Sequence, residues 1–180
     1  MLKTDSIDGI VGNKANRYYS SEGGVVFDSQ QTLSYIDCAI TLKDRKIELK
    51  SIQDFYGKSI WAFKTASKVL GKDFGEMAEK NPRYHEEGDQ EKQLDMLIQQ
   101  RIDVAISDRN IFHHNLKNHP NGYSIDKFSF YRIHGATPRN IKFRTKVLRD
   151  LFNEGLTRIK NNGAFDRIIS KYENSYQSSC

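Results

Sequence analysis

The sequence has few cysteines and prolines and no long apolar run, which are the features of disulfide-rich, fibrous and membrane proteins. It has 2 cysteines and 3 prolines among 180 residues, which gives neither a disulfide framework, nor a zinc site, nor a collagen-like repeat. Its longest apolar runs, at 7–11 and 104–106, are short and interrupted, whereas a membrane-spanning helix needs about 20 apolar residues. The whole sequence is 37% hydrophobic and 28% charged, which is the composition of an ordinary globular chain.

An excess of one charge is also nearly absent. Lysine and arginine outnumber the acids by 28 to 23, and the calculated pI is about 9.1, which permits an anionic partner such as nucleic acid. The excess is spread out, and its densest part, residues 132–149, alternates with apolar residues. That alternation is typical of the solvated face of a helix. We therefore expect no nucleic-acid partner.

The two thiols and the amino terminus leave the cellular compartment open. Cys38 falls within a predicted strand and Cys180 is the last residue, so neither their pairing nor their redox state follows from the sequence. Asp5 stands where a secretory signal would begin its apolar stretch. Either the protein is intracellular, or the sequence begins after a processed or omitted segment.

Short apolar segments bounded by turn-forming residues predict strands, and apolar residues on a single stripe predict helices. The predicted strands are 6–12, 25–27, 34–42, 59–63, 83–87, 102–107 and 128–133. The predicted helices are 65–70, 74–80, one capped by Asp89, 109–116, one carrying the apolar stripe 147–159, and one ending near Tyr172. Because strands alternate with helices through the middle of the chain, we expect a parallel α/β sheet.

Candidate binding residues follow three of the predicted strands, and in an open α/β sheet ligands bind at such carboxyl ends. Thr65 follows the strand 59–63 and begins a helix, so its hydroxyl and the backbone N–H groups behind it suit a carboxylate or phosphate, or form a plain cap. Asp108 ends the strand 102–107, where it can pair with a ligand ammonium or cap the next helix. Arg17 lies in a loop after the first strand. A guanidinium there can hold a carboxylate, although a surface arginine is the commoner outcome.

Signals for metal binding and catalysis are weak. His113, His114 and His119 lie close in sequence, but adjacent histidines on a helix point about 100° apart, and no cysteine or acid pair completes a metal shell. No glycine-rich phosphate loop or nucleophile elbow occurs. Glu87 is the nearby acid that could serve catalysis, and a capping or solvent-facing role suits it as well. We expect no metal, no cofactor and no enzymatic activity.

Several segments, taken in order, point to a known family. They are the run 6–11 (SIDGIV), the run 51–60 (SIQDFYGKSI), the run 88–108, which ends in RIDVAISD, and the segment 148–172, which contains FNEGL and NGAF. Together they resemble family 3 extracellular solute-binding proteins, which are type II periplasmic binding proteins. The two middle runs resemble the second lobe of that family, and the first and last segments are similar to parts of its first lobe.

The resemblance implies a non-enzymatic, two-lobed α/β clamp. Such a clamp captures a polar amino acid or a similar solute in the periplasm or outside the cell and delivers it to a membrane ABC permease. By position, the resemblance implies that Asp108 binds the ligand ammonium, that Lys64 and Thr65 form the turn that receives its carboxylate, and that Arg17 clamps this carboxylate from the other lobe. The same fold leaves open the ligand-sensing domain of a transmembrane signalling receptor, or an enzyme on this scaffold.

The resemblance also implies a division of the chain. Residues 1–45 plus 128–180 would form lobe 1 and residues 46–127 lobe 2, with hinges near 43–50 and 128–135. Two strand-helix units that open the family's first lobe, roughly 60 residues at about 30 each, have no counterpart here. An incomplete lobe 1 exposes sheet edge and apolar surface, so we expect a homodimer formed through it.

Overall fold

The structure is a computed structural model and describes residues 7–12, 25–173 and 180. Its strands are β1 (Gly9–Gly12), β2 (Phe27–Asp28), β3 (Leu33–Tyr35), β4 (Asp37–Leu42), β5 (Ile60–Phe63), β6 (Tyr84–Glu87), β7 (Val104–Asp108), β8 (Phe128–Arg132) and β9 (Thr137–Phe143). Its α-helices are α1 (Ala66–Val69), α2 (Lys72–Lys80), α3 (Gln90–Ile98), α4 (Arg109–Asn118), α5 (Lys146–Asn161) and α6 (Ala164–Glu173). Short 3₁₀ helices lie at Lys43–Arg45, Ile52–Phe55 and Ile125–Lys127.

The chain divides into two compact units. The described residues up to Tyr35 and from Thr137 to the end of α6 form the first unit, and Ile36–Ala136 with Cys180 form the second. The boundaries between the two units therefore lie at 35/36 and 136/137. The second unit is longer at both ends than residues 46–127, the range expected for lobe 2. The reason is that β4 and β8 hydrogen-bond to each other, and β4 also to β7. The expected hinge segments lie inside the second unit for the same reason.

The second unit is built on a five-stranded sheet in the order β6-β5-β7-β4-β8. β5 pairs in parallel with β6 and with β7, as the alternation of strands and helices predicts, whereas β4 runs antiparallel to β7 and β8. Every residue of β7 is buried, because helices cover both faces of this part of the sheet. The two faces form separate apolar clusters, one around Phe74 and Met77 of α2 and the other around Leu94, Leu97 and Phe112 of α3 and α4.

The first unit is built around β9. β1, β2 and β3 all pair with β9 in antiparallel fashion. α5 and α6 follow β9 in the chain and carry the apolar stripes that the sequence predicts, with Leu156 buried and Phe143 of β9 in contact with Phe152 at 5.3 Å between ring centroids. The predicted strand 34–42 is interrupted at Ile36, because β3 belongs to the first unit and β4 to the second.

The interpretation of residues 132–149 as the wet face of a helix is wrong. Residues 137–143 form the central strand of the first unit, and the basic side chains have partners. The Nζ of Lys142, a residue 5% exposed, lies 2.7 Å from the Oδ1 of Asp28, which stands directly opposite it on β2. The guanidinium of Arg139 stacks on Tyr35 at 4.1 Å. An ion pair with Asp28 compensates Lys142 and a cation–π contact with Tyr35 stabilises Arg139, so a basic sequence can occupy the middle of a sheet.

A disulfide joins Cys38 to Cys180, which the sequence left undetermined. The two residues are 142 apart in sequence, with their Cα atoms 6.0 Å apart. Cys38 is fully buried on β4, and Cys180 packs against the cluster around Phe112. The bond therefore fixes the last residue of the sequence to the sheet of the second unit.

No helix within the described residues has the length and apolar character that crossing a membrane requires.

The disulfide gives a first prediction. A cross-link that closes so long a loop restricts the unfolded chain, so the Cys180→Ser variant should lose about 2–5 kcal/mol of unfolding free energy. Urea denaturation with and without dithiothreitol measures this loss. The variant should be insensitive to reductant, and equal stability of the oxidised and reduced wild-type protein would contradict the prediction.

The second prediction concerns His113, which is 4% exposed and stacks on Phe130 with ring centroids 5.5 Å apart. Burial, with a contribution from the Arg109 cation, lowers the pKa of His113 from 6.5 to about 4. Below pH 6.5 the unfolded chain binds a proton at this site that the folded chain does not bind until about pH 4, so stability falls as the pH falls.

His113→Phe should remove this part of the pH dependence and keep the stacking on Phe130. The difference in unfolding free energy between the variant and the wild type should change by up to about 1.4 kcal/mol per pH unit in that window. Urea titrations at a series of pH values measure it. A difference that stays constant with pH would show that His113 takes up its proton equally in both states.

Candidate functional site

The carboxyl ends of β5, β6 and β7 form one edge of the second unit. These three strands are parallel neighbours in the sheet, so they end on the same side. Lys64 and Thr65 follow β5, Glu86 lies one residue before the end of β6, and Asp108 ends β7. We call this group of strand ends the site edge. The fold thus brings Lys64, Thr65 and Asp108 to one edge, while Arg17 lies outside the described residues.

Asp108 is the most enclosed charged residue of the site edge, at 4% exposure. Its Oδ1 accepts the N–H groups of Asn110 and Ile111 at 2.9 and 3.0 Å, and thereby caps α4. Its Oδ2 accepts the N–H of Ile36 at 2.8 Å. Asp108 therefore caps α4, which is one of the two roles that its sequence position suggests. A carboxylate has about four acceptor positions, so these three bonds leave it able to accept another.

Asp37 stands directly opposite Asp108 in the antiparallel register of β4 and β7. It is 1% exposed. Residues that oppose each other across two strands project to the same face of the sheet. Asp37 therefore lies beside Asp108 at the enclosed end of this strand pair.

Lys64 and Thr65 belong to the tight turn between β5 and α1. Thr65 adopts a left-handed conformation, with φ of 75°, and its hydroxyl makes no capping hydrogen bond to α1. Lys64 is exposed. α1 is a single turn of four residues. The hydrogen-bond donors at this position are therefore the backbone N–H groups of the turn itself. We call residues 64–67 the Thr65 loop.

Glu86 occupies the donors of the Thr65 loop. Its Oε2 accepts the N–H of Thr65 at 2.7 Å, and its Oε1 accepts the N–H of Ser67 at 2.8 Å. The Tyr84 hydroxyl donates to Oε1 at 2.8 Å. Burial alone raises the pKa of Glu86, but the hydrogen bonds from Ser67, Tyr84 and Thr65 outweigh it and hold the pKa below its usual value. Glu86 is therefore an anion at neutral pH.

Asp37 and Glu86 are the site residues that the sequence analysis missed. Asp37 lies inside a strand that the sequence treats as continuous, so its place beside Asp108 depends on the register of an antiparallel pair. Glu86 precedes the predicted end of its strand by one residue. Its partner Ala62 on β5 follows from the parallel register, which the sequence does not specify.

The histidines that lie close in sequence have separate contacts in the structure. Among the described residues no group of three or more histidine, cysteine, aspartate or glutamate side chains is placed to hold a metal ion. His113 is part of the packing against Phe130. The Nε2 of His114 lies 3.2 Å from the Nδ2 of Asn118, and the Nε2 of His119 lies 3.0 Å from the Oδ1 of Asp95.

Comparison with known proteins identifies the fold. No protein-family model matches the sequence, and no curated protein sequence matches it. Solved structures do match. A histidine-bound substrate-binding protein of an ABC uptake transporter from Streptococcus pneumoniae has a TM-score of 0.71 at 18% identity, over 99% of this chain and 73% of that one. The arginine-, lysine-, histidine-binding protein ArtJ from Geobacillus stearothermophilus has a TM-score of 0.71 at 16% identity, over 98% and 74%.

A third match is a histidine kinase sensor domain with similarity to periplasmic binding proteins. It has a TM-score of 0.69 at 12% identity, over 92% of this chain and 68% of that one. At such low identities the likeness shows the fold and leaves the ligand open. The chain has the fold of the substrate-binding proteins of amino-acid ABC transporters, which confirms the type II periplasmic-binding-protein fold that the sequence motifs predict.

Proposed function

We propose that this chain is a solute-binding protein that captures an amino acid or a similar small polar solute for an ABC transporter. The observation that carries the proposal is Asp108, an enclosed carboxylate at the end of a central parallel strand with acceptor capacity left. Ligands of open α/β sheets bind at that position. We assign to Asp108 the recognition of the ligand ammonium.

Two features support this assignment. Capping of α4 holds the Asp108 side chain in one orientation before ligand arrives, which lowers the entropic cost of binding. One structural neighbour contains bound histidine, and another is an arginine-, lysine-, histidine-binding protein. The proposed ligand-binding roles of Lys64, Thr65 and Arg17 rest on the resemblance in sequence.

The partner and the location follow from the same proposal. A solute-binding protein of this kind works in the periplasm or outside the cell and docks on a membrane permease. We propose no catalytic role, since the structural neighbours named above are binding and sensor proteins. The second candidate is a ligand-sensing domain of a signalling receptor, which the match to a histidine kinase sensor domain favours. Ligand capture at Asp108 is common to both.

Asp108→Asn tests the proposal. Asparagine is also a good helix cap, so Oδ1 should keep its bonds to α4, while the charge that attracts an ammonium and the bond accepted from Ile36 are lost. A melting curve of the variant checks that it remains folded. Isothermal titration with the amino acids and amines that raise the melting temperature of the wild type should show about 10- to 150-fold weaker binding, the value of a hydrogen bond to a charged group. Asp126→Asn, at an exposed carboxylate just before β8, is the matched control and should bind as the wild type does. Unchanged affinity in Asp108→Asn would refute the assignment.

We further propose that the chain forms a homodimer through its first unit. α5 leaves Val147 and Leu151 68% and 61% exposed, and α6 leaves Ile168 and Tyr172 53% and 63% exposed. Each pair is spaced four residues apart and so shares one helix face. A second copy offers the same apolar faces, and an isologous contact between two copies would cover both.

Light scattering over a range of concentrations tests the dimer. Leu151→Lys combined with Ile168→Lys places two charges on the apolar faces and should shift the protein to monomer, with an increase in dissociation constant of about tenfold or more. Thr157→Lys adds a charge at an exposed polar position of α5 and should leave the dimer intact. A wild-type protein that stays monomeric at the highest concentration would disprove the proposed contact.

A further inference from the structure

The Thr65 loop is already filled by an anion of the same chain. Both carboxylate oxygens of Glu86 accept backbone N–H groups of this loop, from Thr65 at 2.7 Å and from Ser67 at 2.8 Å. A backbone amide has a single hydrogen to donate. These two donors are therefore not available to a carboxylate that arrives with a ligand.

The position of Glu86 is fixed by its surroundings. It stands opposite Ala62 in the parallel pair of β6 and β5, so its side chain projects to the same face as the start of the Thr65 loop. The Tyr84 hydroxyl donates a hydrogen bond to Oε1 of Glu86 at 2.8 Å. Burial and the hydrogen bond to Glu86 raise the pKa of Tyr84, so this hydroxyl remains a donor. Three donors to one carboxylate make a stable arrangement.

We infer that Glu86 is a specificity-determining residue of the proposed solute site, which fills the anion position of the Thr65 loop and makes the site edge select amines that carry no carboxylate. The inference rests on the proposed function. It narrows the ligand class from amino acids and similar solutes to amines of comparable size.

The physical reason is charge balance at the site edge. An ammonium group at the site edge is attracted by the carboxylates of Asp108 and Glu86. A ligand carboxylate placed at the Thr65 loop meets the charge of Glu86 and finds no N–H of Thr65 or Ser67 to accept. Lys64 can attract such a carboxylate, but it is exposed, and an ion pair in water is worth little.

Matched pairs of ligands that differ only by the carboxylate test the inference on the wild-type protein. The pairs are agmatine and arginine, 1,5-diaminopentane and lysine, and 1,4-diaminobutane and ornithine. Isothermal titration should show that the amine of at least one pair binds about tenfold or more tighter than its amino acid, since the carboxylate loses one or two charge-assisted hydrogen bonds.

Variants test whether the Glu86 side chain sets the preference for amines over amino acids. Glu86→Ala frees the N–H groups of Thr65 and Ser67, so the preference should shift about tenfold or more towards the amino acid. Glu87→Ala is the matched control. It removes the neighbouring carboxylate of the same strand, which accepts the N–H of Gly88 at 2.7 Å and points to the other face, and it should keep the wild-type preference. Glu86→Gln, which retains one acceptor oxygen without the charge, should give an intermediate preference and serves if the alanine variant does not fold.

The outcomes separate this inference from the proposed function. If the wild type binds amino acids tighter than their amines and Glu86→Ala changes nothing, Glu86 does not set specificity, while solute binding through Asp108 stands. If no amine and no amino acid binds to the wild type or to any variant, both the inference and the proposed function fail. A preference for amines that disappears in Glu86→Ala and persists in Glu87→Ala supports both.

Discussion

The hydrogen bonds that the Asp108 carboxylate accepts join separate segments of the second unit at the site edge. One oxygen caps α4, and the other accepts the N–H of Ile36, the residue immediately before β4. A buried carboxylate is costly unless several donors surround it. Here the donors come from two separate segments, so the same bonds that make the charge tolerable also join β7, α4 and β4. The site edge depends on this junction.

The second anion of the site edge follows the same physical logic. Glu86 satisfies backbone donors of the Thr65 loop that would otherwise be open to water or to a ligand. In both places a side chain of the protein supplies the negative charge that helix starts and tight turns attract. The site edge therefore carries carboxylates that accept hydrogen bonds from backbone N–H groups. Such a surface is suited to a cationic group of a ligand, and this ties the fold to the proposed capture of an amine-bearing solute.

Much of the second unit could be predicted from the sequence, because its strands and helices alternate with clear apolar periods. The helix start at Asp108 and the turn at Thr65 follow from these periods. β9 does not follow from them, since Lys142 lies inside this strand and is stabilised there by its cross-strand partner Asp28. The role of Glu86 and the pairing of Cys38 with Cys180 depend on register and on long-range contacts. Local sequence patterns encode neither the strand register nor the long-range contacts.

The most direct test of this account is a crystal structure of the protein with the amine that binds it most tightly in the matched ligand panel. The account predicts an ammonium nitrogen within about 3 Å of the Asp108 carboxylate, with Glu86 still bound to the N–H groups of Thr65 and Ser67. A ligand bound away from Asp108, or Glu86 displaced from the Thr65 loop, would contradict it.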